Sequence, residues 1–152
     1  MLMLLFKLGN SRYAIPAREV IEVAAMVNLE TLPKAPNYIA GLFNYRGQHV
    51  PVLDLCRLIN NQPCSNLITS RMILVEFPLA TGGTRTLGLL AERVTETLQL
   101  DDRDFTDTGI SIPDAPFIGR AKHTEQGLVQ QLSVTELLPA DVQVQLYPAE
   151  AG

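Results

Sequence analysis

Few residues in this chain have side chains that could carry a reaction. The two histidines, His49 and His123, lie far apart and outside any H-x-x-x-H or Cys-containing pattern, so a metal centre would have to be assembled wholly by the fold. Cys56 and Cys64 are the only cysteines. Their spacing matches neither a zinc nor a thioredoxin-like motif, and they are expected as free thiols in a reducing compartment, with no role. Asp101, Asp102 and Asp104 cluster in "LDDRDF". Such a cluster could hold Mg²⁺ or supply an acid/base pair, but acidic residues also complement the positive end of a helix, and a solvated helix start is the reading taken. The sequence has no G-x-S-x-G, G-x-x-x-x-G-K-[ST] or G-x-G-x-x-G, and "ATGGT" offers a turn rather than a phosphate cradle. No catalytic residue, metal or cofactor is expected, and no enzyme.

Composition narrows the partners. The net charge of −4 and the lack of any Lys/Arg run longer than a pair argue against binding by phosphate neutralisation, so nucleic acid is not expected. With 47% hydrophobic and 18% charged residues, the chain can build a core and still leave apolar surface for partners. "MLMLLFKLG" has no preceding basic segment and no small-residue cleavage site, and Lys7 interrupts it. No run approaches the roughly 20 apolar residues of a spanning helix, so a cytoplasmic protein without membrane insertion is expected.

The elements that would position any site are mostly strands. Leu2, Leu4, Phe6 and Leu8 alternate with Met3, Leu5 and Lys7, and a Gly-Asn turn leads to a second strand over Arg12 to Ile15. Pro16 can open a helical turn through "AREVIE", or the strand can continue past an edge proline. Pro36 with "NYIAG" predicts a short helix closed by Gly41, followed by strands Leu42 to Tyr45 and Gln48 to Leu53 about an Arg46-Gly47 turn. Asp54 stands at a helix N-cap before "LCRLI", and Asn60 to Ser70 is a polar loop dividing the chain into two halves. Three β-like runs follow, Arg71 to Phe77, Thr84 to Ala91 and Val94 to Leu100, the last with Thr95, Thr97 and Gln99 facing away from Val94, Leu98 and Leu100. Leu128 to Leu132 is a further strand. Ser133 and Glu136 form a capping box for a helix that Pro139 ends, and "DVQVQLY" suits either a strand or a helical tail. "AREVIEV" echoes "AERVTETL", aligning Val20 with Val94 and Glu22 with Glu96, as two related barrel halves would. The sum is a mostly β fold of small barrels in a single domain over residues 1–152.

One stretch carries a resemblance. "LPKAPNYIAGLFNYRGQHVPVLDL", Leu32 to Leu55, is similar to the signature of the CheW family, with its Leu-Pro-x-x-Pro, Ile-x-Gly, Asn-x-Arg-Gly and Val-Pro-Val-x-Asp-Leu blocks. The likeness extends through "REVIEV" and "RTLGLLAERVTETLQL". It implies two intertwined five-stranded SH3-like β-barrels with a few short helices. It also implies a non-enzymatic adaptor bridging the cytoplasmic signalling tip of a methyl-accepting chemoreceptor to the regulatory domain of a CheA-type histidine kinase. Ser133 and Thr135 in "GLVQQLSVTELL" and the longer turn of "LATGGTRTLGLL" depart from the flagellar members, and the sequence resembles adaptors of surface-sensing systems that control a diguanylate cyclase.

The resemblance places receptor binding on Val20, Glu22, Gly41, Asn44, Arg46 and Gly47, with Arg46 paired to Glu22; it marks no kinase-binding residue. Each has a plainer reading. Arg46 could be an ordinary exposed loop arginine, since a surface Arg-Glu pair is worth only about 0 to 1 kcal/mol. Val20 and Gly41 fit packing as well as contact. Asn44 and Gly47 suit a turn, and Pro51 and Asp54 are read as conformational. The rival function is a small-ligand or nucleotide-binding β-barrel, which would call for a basic, aromatic-lined strand face; aromatics are 6% and positive charge is scattered in sequence.

Overall fold

The computed structural model describes residues 2–148; Met1 and residues 149–152 lie outside it, as do the side chains of Thr95, Glu96, Leu98 and Asp102. The predicted outward facing of Thr95 and the Glu22–Glu96 echo therefore fall outside the described side chains. The chain forms ten strands and two short helices: β1 (Leu2–Leu8), β2 (Ser11–Pro16), β3 (Val20–Ala24), β4 (Ile39–Tyr45), β5 (Gln48–Asp54), α1 (Leu55–Asn60), β6 (Arg71–Pro78), β7 (Thr84–Gln99), β8 (Thr106–Asp107), β9 (Arg120–Thr124), β10 (Gly127–Gln131) and α2 (Ala140–Leu146). Among the described residues no helix is long and apolar enough to cross a membrane.

The strands fall into two interleaved sets. β3, β6, β5 and β4 gather on the first half of β7, with Val52, Leu53 and Asp54 of β5 running parallel to Gly88, Leu89 and Leu90. The second half of β7 pairs with β1, and the path continues through β2, β10, β9 and β8. This arrangement of a mostly β chain is consistent with paired small barrels. The strands on either side of residues 61–70, β5 and β6, belong to the same set, whereas the N-terminal hairpin pairs with C-terminal strands.

Inner strands are apolar on both faces because they separate two cores. Leu4, Phe6 and Leu8 of β1 join Ile73, Val75 and Phe77 of β6 and Leu87 and Leu89 of β7 in one large cluster between the sets. On the opposite faces, Met3 and Leu5 pack with Ala14, Phe105 and Val129, and Met72 and Leu74 pack with Val50, Val52 and Leu90. Period-2 alternation is thus hidden in runs such as "LMLLF", since both parities are buried.

Several local expectations are corrected. Pro36 starts no helix: Ile39 N–H turns back to Pro36 O, and β4 begins at Ile39 because Asp54 N–H binds Tyr38 O at 2.7 Å and sheet pairing takes the segment. The two runs expected at Thr84 to Ala91 and Val94 to Leu100 form one strand that ends at Gln99, with Glu92 and Arg93 bridging the sets. Ser133 does not cap through its side chain, which lies 3.3 Å from Thr135 Oγ1; only a short 3-10 turn, Val134–Glu136, follows. Pro139 precedes α2 rather than ending a helix, and "DVQVQL" is helical. After Pro16 the chain makes a 3-10 turn, Ala17–Glu19, and then β3. "DRD" forms a single 3-10 turn at Asp102–Asp104.

The largest correction concerns Cys56 and Cys64, which are joined in a disulfide with Cα atoms 5.1 Å apart. Asp54 makes the approach possible. One carboxylate oxygen accepts from Arg57 N–H, capping α1 as expected, and the other accepts from Cys64 N–H, both at 3.1 Å. Glu92 holds the next residue through Ser65 N–H at 2.7 Å. Burial pushes the Glu92 carboxyl up, but the amides of Ser65 and Gly9 and the charge of Arg93 outweigh it and leave the group below its ordinary value.

Candidate functional site

The β4–β5 hairpin closes with Tyr45 opposite Gln48, leaving Arg46 and Gly47 as a two-residue loop. Both have positive φ, 53° and 84°, as a type I′ turn requires. Asn44 Oδ1 accepts from Gly47 N–H at 2.9 Å and holds the turn from one side. A Cβ on Gly47 would meet nothing within 4 Å, so glycine is needed there for its backbone freedom alone.

The turn presents Arg46 outward, with 77% of its side chain exposed. Its guanidinium stands 5.1 Å from the Tyr45 ring centroid, and Nη2 lies 3.7 Å from Glu22 Oε2. Tyr45 Oη donates to the same carboxylate oxygen at 2.6 Å. Glu22 thus receives a phenol and a guanidinium from the neighbouring hairpin. Ionised tyrosine could not donate, so this bond to Glu22 holds the Tyr45 pKa above its usual value. Tyr45 therefore keeps its proton, and can donate to Glu22, through neutral pH.

Glu22 stands on β3, where Ile21 and Val23 point to solvent at 42% and 41% exposure. Val20 is half-buried and packs on the large core cluster. Gly41 is buried: at φ 149° an added Cβ would lie 2.3 Å from Glu30 O. That approach is fixed by paired bonds, Glu30 N–H to Leu42 O and Leu42 N–H to Glu30 O, each 2.8 Å.

The six positions therefore separate by geometry. Glu22, Asn44, Arg46 and Gly47 gather about one exposed turn, whereas Val20 packs on the large core cluster and Gly41 lies against the Glu30 segment at the far end of the hairpin. Tyr45 was missed from the sequence because a tyrosine in an apolar strand reads as core; its position beside Arg46, on the hairpin facing Glu22, was the available signal.

His49 and His123 are exposed and separate. Asp54, Cys56 and Cys64 bring their ligand atoms within 4.8 Å of one another, yet both sulfurs are joined to each other and both Asp54 oxygens accept N–H bonds, so no ligand set is left.

Fold and site together define a small, mostly β protein that carries a Tyr45–Arg46–Glu22 cluster at an outward-facing hairpin turn. Residues 2–142 match the CheW-like domain family model, and the chain belongs to that family. It is 25% identical to a chemotaxis protein CheW of Helicobacter pylori over 90% of this chain and 80% of that protein. It is also 38% identical to protein FrzA of Myxococcus xanthus over 36% of this chain and 34% of that one. In fold it is similar to the scaffolding protein TtCheW of Thermoanaerobacter tengcongensis, with a TM-score of 0.78, 24% identity and coverage of 91% of this chain and 87% of that one. Proteins of this family are adaptors and scaffolds rather than enzymes.

Proposed function

We propose that the protein is a cytoplasmic coupling adaptor of a bacterial chemosensory array, joining the signalling tip of a methyl-accepting chemoreceptor to the regulatory domain of a CheA-type histidine kinase. The observation that carries this reading is the exposed Tyr45–Arg46–Glu22 cluster beside the solvent-facing Ile21 and Val23. An aromatic and an arginine in contact, with exposed aliphatic residues next to Glu22 on the same strand, have the composition of a protein-binding hot spot. A receptor hairpin would lay its apolar ridge against β3, and Arg46, with five donors in a fixed fork, would set register against carboxylates or carbonyls. In this reading Glu22, Asn44, Arg46 and Gly47 form the contact, and Val20 and Gly41 act through the packing of the strands that carry it. The departures from flagellar members favour a surface-sensing system as the output.

The test is a titration of the chain with a receptor signalling fragment and, separately, with the kinase regulatory domain. Arg46→Glu sets two carboxylates against each other; it is expected to weaken receptor binding at least tenfold, leave kinase binding intact and change stability by under about 0.5 kcal/mol. If the unsubstituted chain binds neither fragment, the reading is wrong. A large stability loss from Arg46→Glu would mean the arginine serves the fold.

A further inference from the structure

A second polar feature lies away from this hairpin, where β1 and β7 part. β7 pairs with β1 from Gln99 to Glu96 and again at Glu92, so Arg93, Val94 and Thr95 stand against Phe6 alone, and Phe6 has no partner on β7. Arg93 takes a positive φ of 48°, which a long L side chain rarely adopts, and Val94 N–H turns to Thr69 O at 3.0 Å. Bulges and strained residues of this kind concentrate at functional sites. The parting leaves a cleft of about 560 Å³.

Lys7, Arg12 and Arg93 all line this cleft, with Thr69 and Gln126, and no described Asp or Glu does. The fold therefore gathers cations that are dispersed in sequence, within a chain of net charge −4. Lys7 and Arg12 are direct cross-strand partners, so their side chains leave the same face, a like-charge arrangement that destabilises a sheet unless something neutralises it. Neither makes an ion pair with a described residue. Glu92, across from Lys7 on the other side, gives its carboxylate to Ser65 N–H and Gly9 N–H instead. Arg93 donates one N–H to Gly9 O at 3.3 Å, and its charge also acts on the Glu92 carboxylate.

We propose that this cleft binds a small phosphate-bearing anion. Two guanidiniums can grip phosphate oxygens in bidentate fashion, the ammonium adds a point charge, and the Thr69 hydroxyl and Gln126 amide can donate to further oxygens. The volume lies in the range of small-molecule sites. A concave opening between two strands suits a compact ligand better than the side chain of an acidic protein surface.

Pyrophosphate is the probe, titrated into the full chain at low ionic strength and followed by calorimetry and amide NMR shifts. Saturable one-site binding is expected, with shifts centred on Lys7, Arg12, Thr69, Arg93 and Gln126 and weakening as salt is added. Arg12→Gln and Arg93→Gln should each weaken binding about tenfold, the loss of one charge-assisted contact, and their combination should abolish it while the fold persists by circular dichroism. Lys34→Gln, remote and exposed, should leave binding unchanged. The proposal is overturned if pyrophosphate does not saturate at millimolar concentration, if Lys34→Gln weakens binding as much as the cleft variants, or if the shifts map elsewhere. Loss of kinase or receptor-fragment capture by the cleft variants, with no pyrophosphate binding, would make the cleft a protein contact and equally overturn it.

Discussion

Arg46 holds a left-handed backbone that costs an L residue about 1 to 2 kcal/mol, at a position where Asn is strongly preferred before Gly. Hairpin stability alone favours Asn at this position, so replacing the arginine separates a role in the turn from a role in binding. Arg46→Asn, which supplies the favoured Asn-Gly turn, is expected to leave stability unchanged or raise it by up to about 1 kcal/mol in urea titration while receptor binding falls as far as with Arg46→Glu. A clear loss of stability would assign the guanidinium to the fold through Glu22 and Tyr45. Gly41 behaves oppositely: Gly41→Ala would drive a Cβ into Glu30 O and is expected to cost roughly 2 to 4 kcal/mol, with binding following stability. A stable, non-binding Gly41→Ala would return that position to the contact surface. At this scale the sequence was informative through its motif. Asn44, Arg46 and Gly47 could be placed at the turn because their backbone preferences are local; Gly41 was visible as a glycine, but its reason, the Glu30 segment lying across it, depends on a contact that no local pattern encodes.

Among elements, the 61–70 loop differs most from what its composition suggests. Its polar residues predict a free connection, yet it is tied by Asp54 to Cys64 N–H, by Glu92 to Ser65 N–H, by Ser70 Oγ to Ser65 O and by the Cys56–Cys64 bond. Cysteine spacing alone could not reveal the bond, because it follows from Asp54 turning the chain back onto α1. With a sequence separation of 8, the disulfide closes a short ring, and loop-closure entropy assigns it roughly 2.5 kcal/mol. A dithiol reductant should therefore lower the urea midpoint without unfolding the chain and speed hydrogen exchange at Cys64 and Ser65, since Asp54 and Glu92 remain. Identical midpoints with and without reductant would show that the bond does not contribute. The misses at Pro36 and Ser133 share one cause: a backbone bond to a segment distant in sequence overrode local preference. Pro36 and Gly41 look like helix ends and Ser133 with Glu136 like a capping box, but Tyr38 O is taken by Asp54 N–H and Ser133 N–H by Phe117 O at 2.8 Å. The N-cap at Asp54, the β1–β2 hairpin and the Arg46-Gly47 turn were legible because each is settled within a few residues.

For the molecule as a whole, the continuity of β7 matters more than any single contact. Its first half carries β5 and β6, its second carries β1, and the large apolar cluster lies between the two sets with residues from both. The C-terminal segment adds a further tie, Gln143 of α2 accepting from Ala80 N–H at 2.9 Å and Tyr147, just after it, donating to Thr86 O at 2.7 Å. Neither set can expose its half of the shared core without stripping the other, so unfolding should be one transition, with calorimetric and van't Hoff enthalpies equal. Leu89→Ala tests this from the middle of the shared cluster, where the truncation should cost about 2 to 5 kcal/mol. Hydrogen-exchange protection should then fall by the same free energy in β6, on one side, and in β10, on the far side. Protection lost in β6 but retained in β10 would mean that the halves unfold separately. A connector built that way could not carry a rigid geometry from the Arg46 face to a second partner.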